Sequence, residues 1–490
     1  MTFETAFLLV LAAFFVVVMV EGWQSWKRTK NETDYLVAGR SMGAWIGGAS
    51  ISATQMSAGT FVGTMGIHYL TGASFMAGWL GIWVAFVLAA FVIAPRLRRY
   101  AHERNALTFP DYIADRFGGK LPRAVVSVLL VISYVVFMSA QYQAGGVILG
   151  TVFGIPFVYG AIILMVLVVG YTVIGGMHAV MRTDFLQQIA MMIGIAVGVP
   201  LVVARAGGWE SLGAALPAVA PEFTGWAFGW SDLVGFWLGF GFAALCAPYL
   251  LLRFYAMPDD RTCQRASGVA LGFVLATGIC IAILGMAMRV IYPQLPVADA
   301  ASTLLASEVV PPLLGAVVLT AVIAAVMSTV DSVLLVAGPA ISHDLYGRLI
   351  RPNADEASRM RVNRWATAVI GAVPVLLTVQ ELDIVQFVVL AYAALLASTI
   401  VAPVLLGLYW RRASQAGAVA SMLVGFAVCA AWYALGEPYI GAVVPGVTAS
   451  VVAMLLVSLV TRPVEAELLE PFFEPGPDPV RPLAQMKGTP

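Results

Sequence analysis

Ala324-Ala325-Val326-Met327-Ser328-Thr329-Val330-Asp331-Ser332 lies inside an apolar run too long for the core helix of a soluble protein. An ionisable carboxylate in such a run is costly, so by default it marks an ion or substrate path. Helical spacing puts the hydroxyls of residues 328, 329 and 332 on one stripe with Ala325, and Asp331 borders that stripe. The result is an oxygen-rich patch of the kind a hard monovalent cation needs, set where lipid would otherwise forbid it.

The rest of the chain has the composition of a membrane protein. Hydrophobic residues make up 60% of its 490 positions and charged residues 11%, against about 25% charged in soluble domains. Runs of about 20 apolar residues, enough to cross the hydrocarbon, recur along its length. The net charge is zero, and nothing in the charge pattern calls for a nucleic acid. Cys246, Cys263, Cys280 and Cys429 show no metal-ligand spacing, and most sit in apolar runs, which predicts buried thiols. No basic residue precedes the first run, and Lys27, Arg28 and Lys30 follow it. That pattern fits a retained first span with the N-terminus outside, not a cleaved leader.

The hydropathy pattern predicts an all-α polytopic protein of about thirteen transmembrane helices: 3–23, 43–69, 73–95, 124–151, 157–176, 184–206, 230–256, 267–290, 309–341, 365–380, 384–409, 414–436 and 441–461. With the N-terminus outside and the C-terminus inside, every Lys and Arg except Arg205 and Arg289 falls in or beside an inner segment. That asymmetry is what the positive-inside rule requires. Residues 1–461 form one membrane domain, and 462–490 a Pro/Glu-rich cytoplasmic tail too short to fold alone.

Two spans are interrupted. Span 43–69 carries Gly47, Gly48, Ser50, Ser52, Thr54, Gln55, Ser57, Gly59, Thr60, Gly63 and Thr64; span 230–256 carries Gly235, Gly239, Gly241 and Pro248, with Phe240 among them. Polar, glycine-rich backbone at membrane depth is tolerated where it lines a cavity; small-residue helix packing is the plainer alternative. One interrupted segment at the start of each half points to an inverted repeat with a site at the midplane. The halves would be 43–206 and 230–409, with an extra helix at 3–23 and two more within 414–461.

Several pieces resemble the sodium:solute symporter family. They are Tyr35-Leu36-Val37-Ala38-Gly39-Arg40-Ser41-Met42, Ala53-Thr54-Gln55-Met56-Ser57, Leu107-Thr108-Phe109-Pro110-Asp111-Tyr112, the stretch 171–187 around Gly175-Gly176, the stretch 248–254, and 327–332 followed by Asp344-Leu345-Tyr346. They occur in the family's order and spacing. The resemblance implies a LeuT-like fold of five plus five helices and alternating-access uptake of a small organic solute such as a monocarboxylate, amino acid or vitamin-like acid. It also implies Na+ as coupling ion with no organic cofactor, and no enzymatic activity. The expected partners are that solute and membrane lipid, the expected state a monomer, and the expected location a bacterial inner membrane.

Carried over residue by residue, the family's main sodium site would use the carbonyls of Ala53, Met56 and Ala325 and the hydroxyls of Ser328 and Thr329. Taken alone, those two hydroxyls could equally bond back to a carbonyl one turn earlier. A second sodium site would use Asp184, Ser328, Asp331 and Ser332. Several relatives have a hydroxyl residue in the position of Asp331. The two carboxylates could instead be solvated, or paired with Arg182 or another base near the inner face.

The substrate pocket implied by the resemblance takes Thr54, Gln55, Ser57, Thr60, Trp79, Gln141, Gln143 and Phe240, with Gln55, Gln141 and Phe240 foremost. Proline-carrying members have an acid in the position of Gln55. Sialic-acid members hold the substrate carboxylate with an arginine, and here no Lys or Arg lies at mid-span, so no guanidinium clamp is expected. Two other readings stay open: a proton-coupled symporter of the same fold using Asp184 and Asp331, and a transporter-like sensor. An intramembrane enzyme has little support, because His68, His102, His178 and His343 are scattered.

Overall fold

The computed structural model describes residues 1–378, 385–437 and 440–473. The connection at 379–384, which ends one expected span and begins the next, and the tail beyond residue 473 lie outside the described residues. Every regular element among the described residues is helical. Ten of the helices are long and apolar enough to cross a membrane.

The elements that build the site are α1 (Phe3–Trp26), α2 (Ala44–Gln55), α3 (Met65–Thr71), α4 (Met76–Leu88), α5 (Phe109–Phe117), α6 (Lys120–Phe153) and α7 (Phe157–Arg205). They are followed by α8 (Trp230–Cys246), α9 (Pro248–Tyr255), α10 (Asp260–Ile291), α11 (Pro312–Pro339), α12 (Glu356–Thr378), α13 (Val385–Tyr409), α14 (Gln415–Ala434) and α15 (Val443–Val460). The most apolar stretch of α11 is 83% buried by protein, that of α1 only 28%, and those of α14 and α15 33%. α11 is therefore the central post of the bundle, and α1, α14 and α15 form its rim. Rim side chains such as Val16, Leu456 and Val460 are exposed, as a lipid-facing surface requires.

Three interruptions shape the interior. α2 stops at Met56, whose backbone (φ −82°, ψ 98°) leaves the helix. The chain then re-enters through a widely wound turn, Gly59–Thr64, before α3. α8 stops at Ala247 (φ −58°, ψ 121°) because Pro248 follows: proline has no N–H to donate and drives the residue before it out of the helical region. The third interruption divides α7 at Gly176 (φ 63°, ψ −168°), a conformation essentially restricted to glycine. A Cβ there would also lie 2.7 Å from the ring of Tyr35 and 2.8 Å from its carbonyl. This gives the Gly175-Gly176 pair its physical meaning: the second glycine turns one long apolar stretch into two spans.

Close approach holds the broken helix in place. A Cβ on Gly48 of α2 would meet the Ala266 carbonyl at 2.5 Å, and one on Gly285 would meet the Met65 carbonyl at 2.6 Å. Both contacts are with or from α10, which spans the two halves of the break. The cysteines are all free: three are buried and Cys280 is half-buried.

Gly176→Ala adds a Cβ where backbone and space both refuse it. It is expected to lower stability by at least about 2 kcal/mol, read as a lower thermal midpoint in detergent. An unchanged midpoint would mean that the kink does not depend on glycine.

Candidate functional site

The break in α2 frees backbone groups that need partners at membrane depth. The Ala58 amide donates to Gln141 Oε1 on α6 (2.9 Å), and the Gly59 amide donates to Ser57 Oγ (3.1 Å). On the other side, α11 presents its hydroxyls. Ser328 Oγ donates to the carbonyls of Ala53 (2.9 Å) and Ala325 (3.0 Å). Thr329 Oγ1 donates to the carbonyls of Thr54 (3.2 Å) and Ala325 (3.1 Å). Both hydroxyls thus do bond back to a carbonyl one turn earlier, and both also cross to α2. Four of the five expected main-site residues, Ala53, Ala325, Ser328 and Thr329, meet within hydrogen-bond distance, all fully buried. Met56 sits at the break itself, and the Thr54 carbonyl, not among the expected residues, joins the group. Carbonyl and hydroxyl oxygens alone, with no positive charge among them, are the donor set a hard monovalent cation takes.

Asp184, Asp331 and Ser332 lie in the adjoining layer, also fully buried, so a solvated role for the two acids is excluded. Asp184 Oδ2 accepts from Ser50 (2.5 Å), Thr54 (3.4 Å) and Arg253 (3.2 Å). Its Oδ1 has no protein partner. Asp331 accepts from Tyr171 (2.7 Å) and Ser332 (3.3 Å). Of the bases open to the two acids, Arg182 pairs instead with Glu21 (3.0 Å), and it is another base, Arg253, that pairs with Asp184. Arg253 starts near the end of α9, yet its side chain is fully buried and threads back to Ser50, Thr54, Asp184 and Ser332.

Toward the other face, a small cavity of about 40 Å³ is lined by Gln55, Ser57, Thr60, Trp79 and Phe240, all expected, together with Thr64, Phe75 and Gln386. Two of its lining atoms, Gln55 Oε1 and the Trp79 indole nitrogen, are buried without a partner: one open acceptor and one open donor. No charged side chain lines it. Thr54, Gln141 and Gln143 are not part of this wall. Thr54 is spent on the Arg253 layer, and Gln141 holds the break through its carbonyl oxygen, so it works as a strut. Gln386, which accepts from Thr64 (3.2 Å), was missed; its only sequence signal was a lone amide opening an apolar run.

A third polar cluster joins the ends of several helices. Arg123 Nη1 lies 2.6 Å from Asp111 and 2.5 Å from Asp344. His343 contacts Glu32 (2.9 Å) and lies 3.4 Å from Asp111, and Arg359 holds Glu32 (2.8 Å). Asp111, His343 and Asp344 come close enough to chelate a metal, but Arg123 already pairs with both acids, so the cluster is an ion-pair lattice. His343 looked isolated because its partners come from distant elements. His68 is a buried packing residue whose Nδ1 meets the Gly72 carbonyl (2.7 Å).

The comparisons with known proteins agree with this architecture. The sodium:solute symporter family pattern matches residues 35–425. The osmoregulated proline transporter OpuE of Bacillus subtilis is 28% identical over 473 residues, covering 93% of this chain and 95% of that protein. A sodium/proline symporter of Staphylococcus aureus is 28% identical over 481 residues, covering 93% and 92%. Among solved structures, a substrate-bound, outward-open Na+-coupled sialic acid symporter superposes with a TM-score of 0.81 at 20% identity, covering 94% of this chain and 99% of its own. Mhp1, a nucleobase-cation-symport-1 family transporter, gives 0.61 at 14% identity, covering 89% and 97%.

A helical bundle with two broken helices beside a buried oxygen cluster is the frame of a cation-coupled carrier. The chain belongs to the sodium:solute symporter family. It is a multi-pass integral protein of the bacterial plasma membrane and a transporter, not an enzyme; Na+ is the coupling ion of its family, with no organic cofactor.

Arg123→Met leaves Asp111 and Asp344 buried together without their cation. Removing one partner of a buried pair costs about 3–5 kcal/mol, so a marked drop in thermal midpoint is expected. Burial alone would raise the Glu32 carboxyl, but hydrogen bonds and charge from His343 and Arg359 hold it down at about 2. A depressed acid stabilises the fold above its unfolded pKa and loses that contribution as pH falls through the folded one. The Glu32 share is therefore lost between about pH 4.5 and 2, and Glu32→Gln should flatten the acid arm of a midpoint-against-pH curve.

Proposed function

We propose that this chain takes up a small, zwitterionic amino acid, with proline the first to test, by sodium-coupled symport. The carrying observation is the convergence of Ala53, Ala325, Ser328 and Thr329 oxygens at the broken helix. That group, with the Met56 carbonyl, is the main sodium site; the cavity beside it is the solute site, with Gln55, Ser57, Thr60, Trp79 and Phe240 in its wall. The oligomeric state is monomeric. The thirteen spans run with the N-terminus outside, as two repeats at 43–206 and 230–409 with extra helices at either end. The proline-carrying relatives and the uncharged cavity support the substrate class. The open acceptor of Gln55 suits an ammonium, and the indole N–H of Trp79 suits a carboxylate.

Sodium bound at the break stabilises one arrangement of α2 and α3, and the solute then binds that arrangement more tightly. The coupling is reciprocal through a single equilibrium. The loaded protein rocks inward and releases both.

The deciding experiment is a thermal-shift series on purified protein with proline, other amino acids, monocarboxylates and vitamin-like acids, each in sodium and in choline. A ligand that binds only the folded state raises the midpoint. Stabilisation by proline in sodium alone is expected. Sodium-independent stabilisation that follows pH would replace this reading with proton coupling.

Three variants separate ion from solute. Ser328→Ala or Thr329→Ala should raise the sodium needed for half-maximal uptake about tenfold or more; unchanged sodium dependence in both would sink the ion site. Trp79→Phe keeps an aromatic ring, though a smaller one, and removes the donor. It should raise the half-saturating solute concentration by up to about tenfold while stabilisation by sodium alone stays as it was.

A further inference from the structure

We propose that the guanidinium of Arg253 is the resident cation of the layer formed by Asp184, Asp331 and Ser332, so that the protein binds one sodium ion, not two. The inference rests on the sodium-coupled reading above and fixes the ion count of that site.

Apart from Asp184 Oδ1, which has no protein partner, the oxygens a second sodium would need are already committed. Arg253 Nε donates to Ser50 Oγ (3.2 Å), and Nη2 donates to Thr54 Oγ1 (2.9 Å), to Asp184 Oδ2 (3.2 Å) and to Ser332 Oγ. Nη1 donates to the Tyr249 carbonyl of its own helix. These partners come from α2, α7, α9 and α11, and all are fully or almost fully buried. A guanidinium does not deprotonate in a protein, so this positive charge is permanent. It is also compulsory: without it Asp184 and Asp331 would face each other as two buried acids. A mobile sodium among the same oxygens would lie against a fixed charge of the same sign.

The arrangement of the two layers points the same way. Asp331 follows Ser328 by three positions on α11 and takes only hydroxyl donors, from Tyr171 and Ser332. Thr54 joins the two layers. Its hydroxyl belongs to the Arg253 group, and its carbonyl accepts from Thr329. A sodium at the break therefore sits beside a layer whose own cation, Arg253, is already in place.

The test is equilibrium 22Na+ binding to purified full-length protein, with no solute needed. The wild type is expected to bind one equivalent, lost in the Ser328→Ala/Thr329→Ala double variant. Arg253→Lys, which keeps the charge, should remain at one. Arg253→Gln should rise to two, and adding Asp184→Asn should remove the second. Two equivalents in the wild type would overturn the inference and leave sodium coupling standing. Arg253→Gln remaining at one would show the guanidinium to be a strut, and would overturn it too. No binding at all in the wild type would overturn sodium coupling and this inference with it. Should Arg253→Gln fail to fold, the wild-type count alone decides.

Discussion

The structure depends on one constraint: backbone polar groups released at membrane depth must find partners inside the protein. When α2 stops at Met56, carbonyls on one side and amides on the other lose their helical bonds. Gln141 and Ser57 take up amides, and Ser328 and Thr329 reach carbonyls from α11. The central position of α11 follows from this, since a helix that serves the break must be enclosed by the rest. The cation-binding chemistry and the stability of the break are thus the same set of contacts seen from two sides.

Around this centre the interior is layered by charge. The cavity wall is neutral, the hydroxyl–carbonyl layer is polar but uncharged, the next layer holds Asp184, Asp331 and Arg253, and the helix ends beyond it are tied by the Arg123 lattice. Each charged layer contains its own counter-charge, as burial requires. The α13 helix contributes Gln386 to the neutral layer, so the solute cavity is closed by an element far from the interrupted helices in sequence.

What could be read beforehand was whatever periodicity and backbone chemistry encode. The hydroxyl stripe of α11, the interruptions before Ser57 and at Pro248, and the turn at Gly176 all follow from spacing, proline and glycine. What could not be read was side-chain reach. Arg253 looked like an inner-face charge because its Cα is near a helix end, but the stem of an arginine is long enough to carry the guanidinium into the core. Gln141 was expected at the solute from the family resemblance, and sequence cannot tell whether a buried amide's partner is ligand or backbone. His343 and Glu32 are separated by most of the chain, so their contact leaves no local trace.

Glycine contacts along α10 have a mechanical consequence. At 32 residues and about 1.5 Å per residue, it is a rod of roughly 48 Å. One end is wedged against α2 at Gly48 and Ala266, and further along it meets α3 at Gly285 and Met65. Between these points a Cβ on Gly278 would lie 3.2 Å from the indole of Trp79. The two halves of the broken helix are therefore splinted to one stiff lever and cannot hinge apart freely. Any tilt of that lever is felt at the cavity wall, so the gate and the pivot are parts of the same piece.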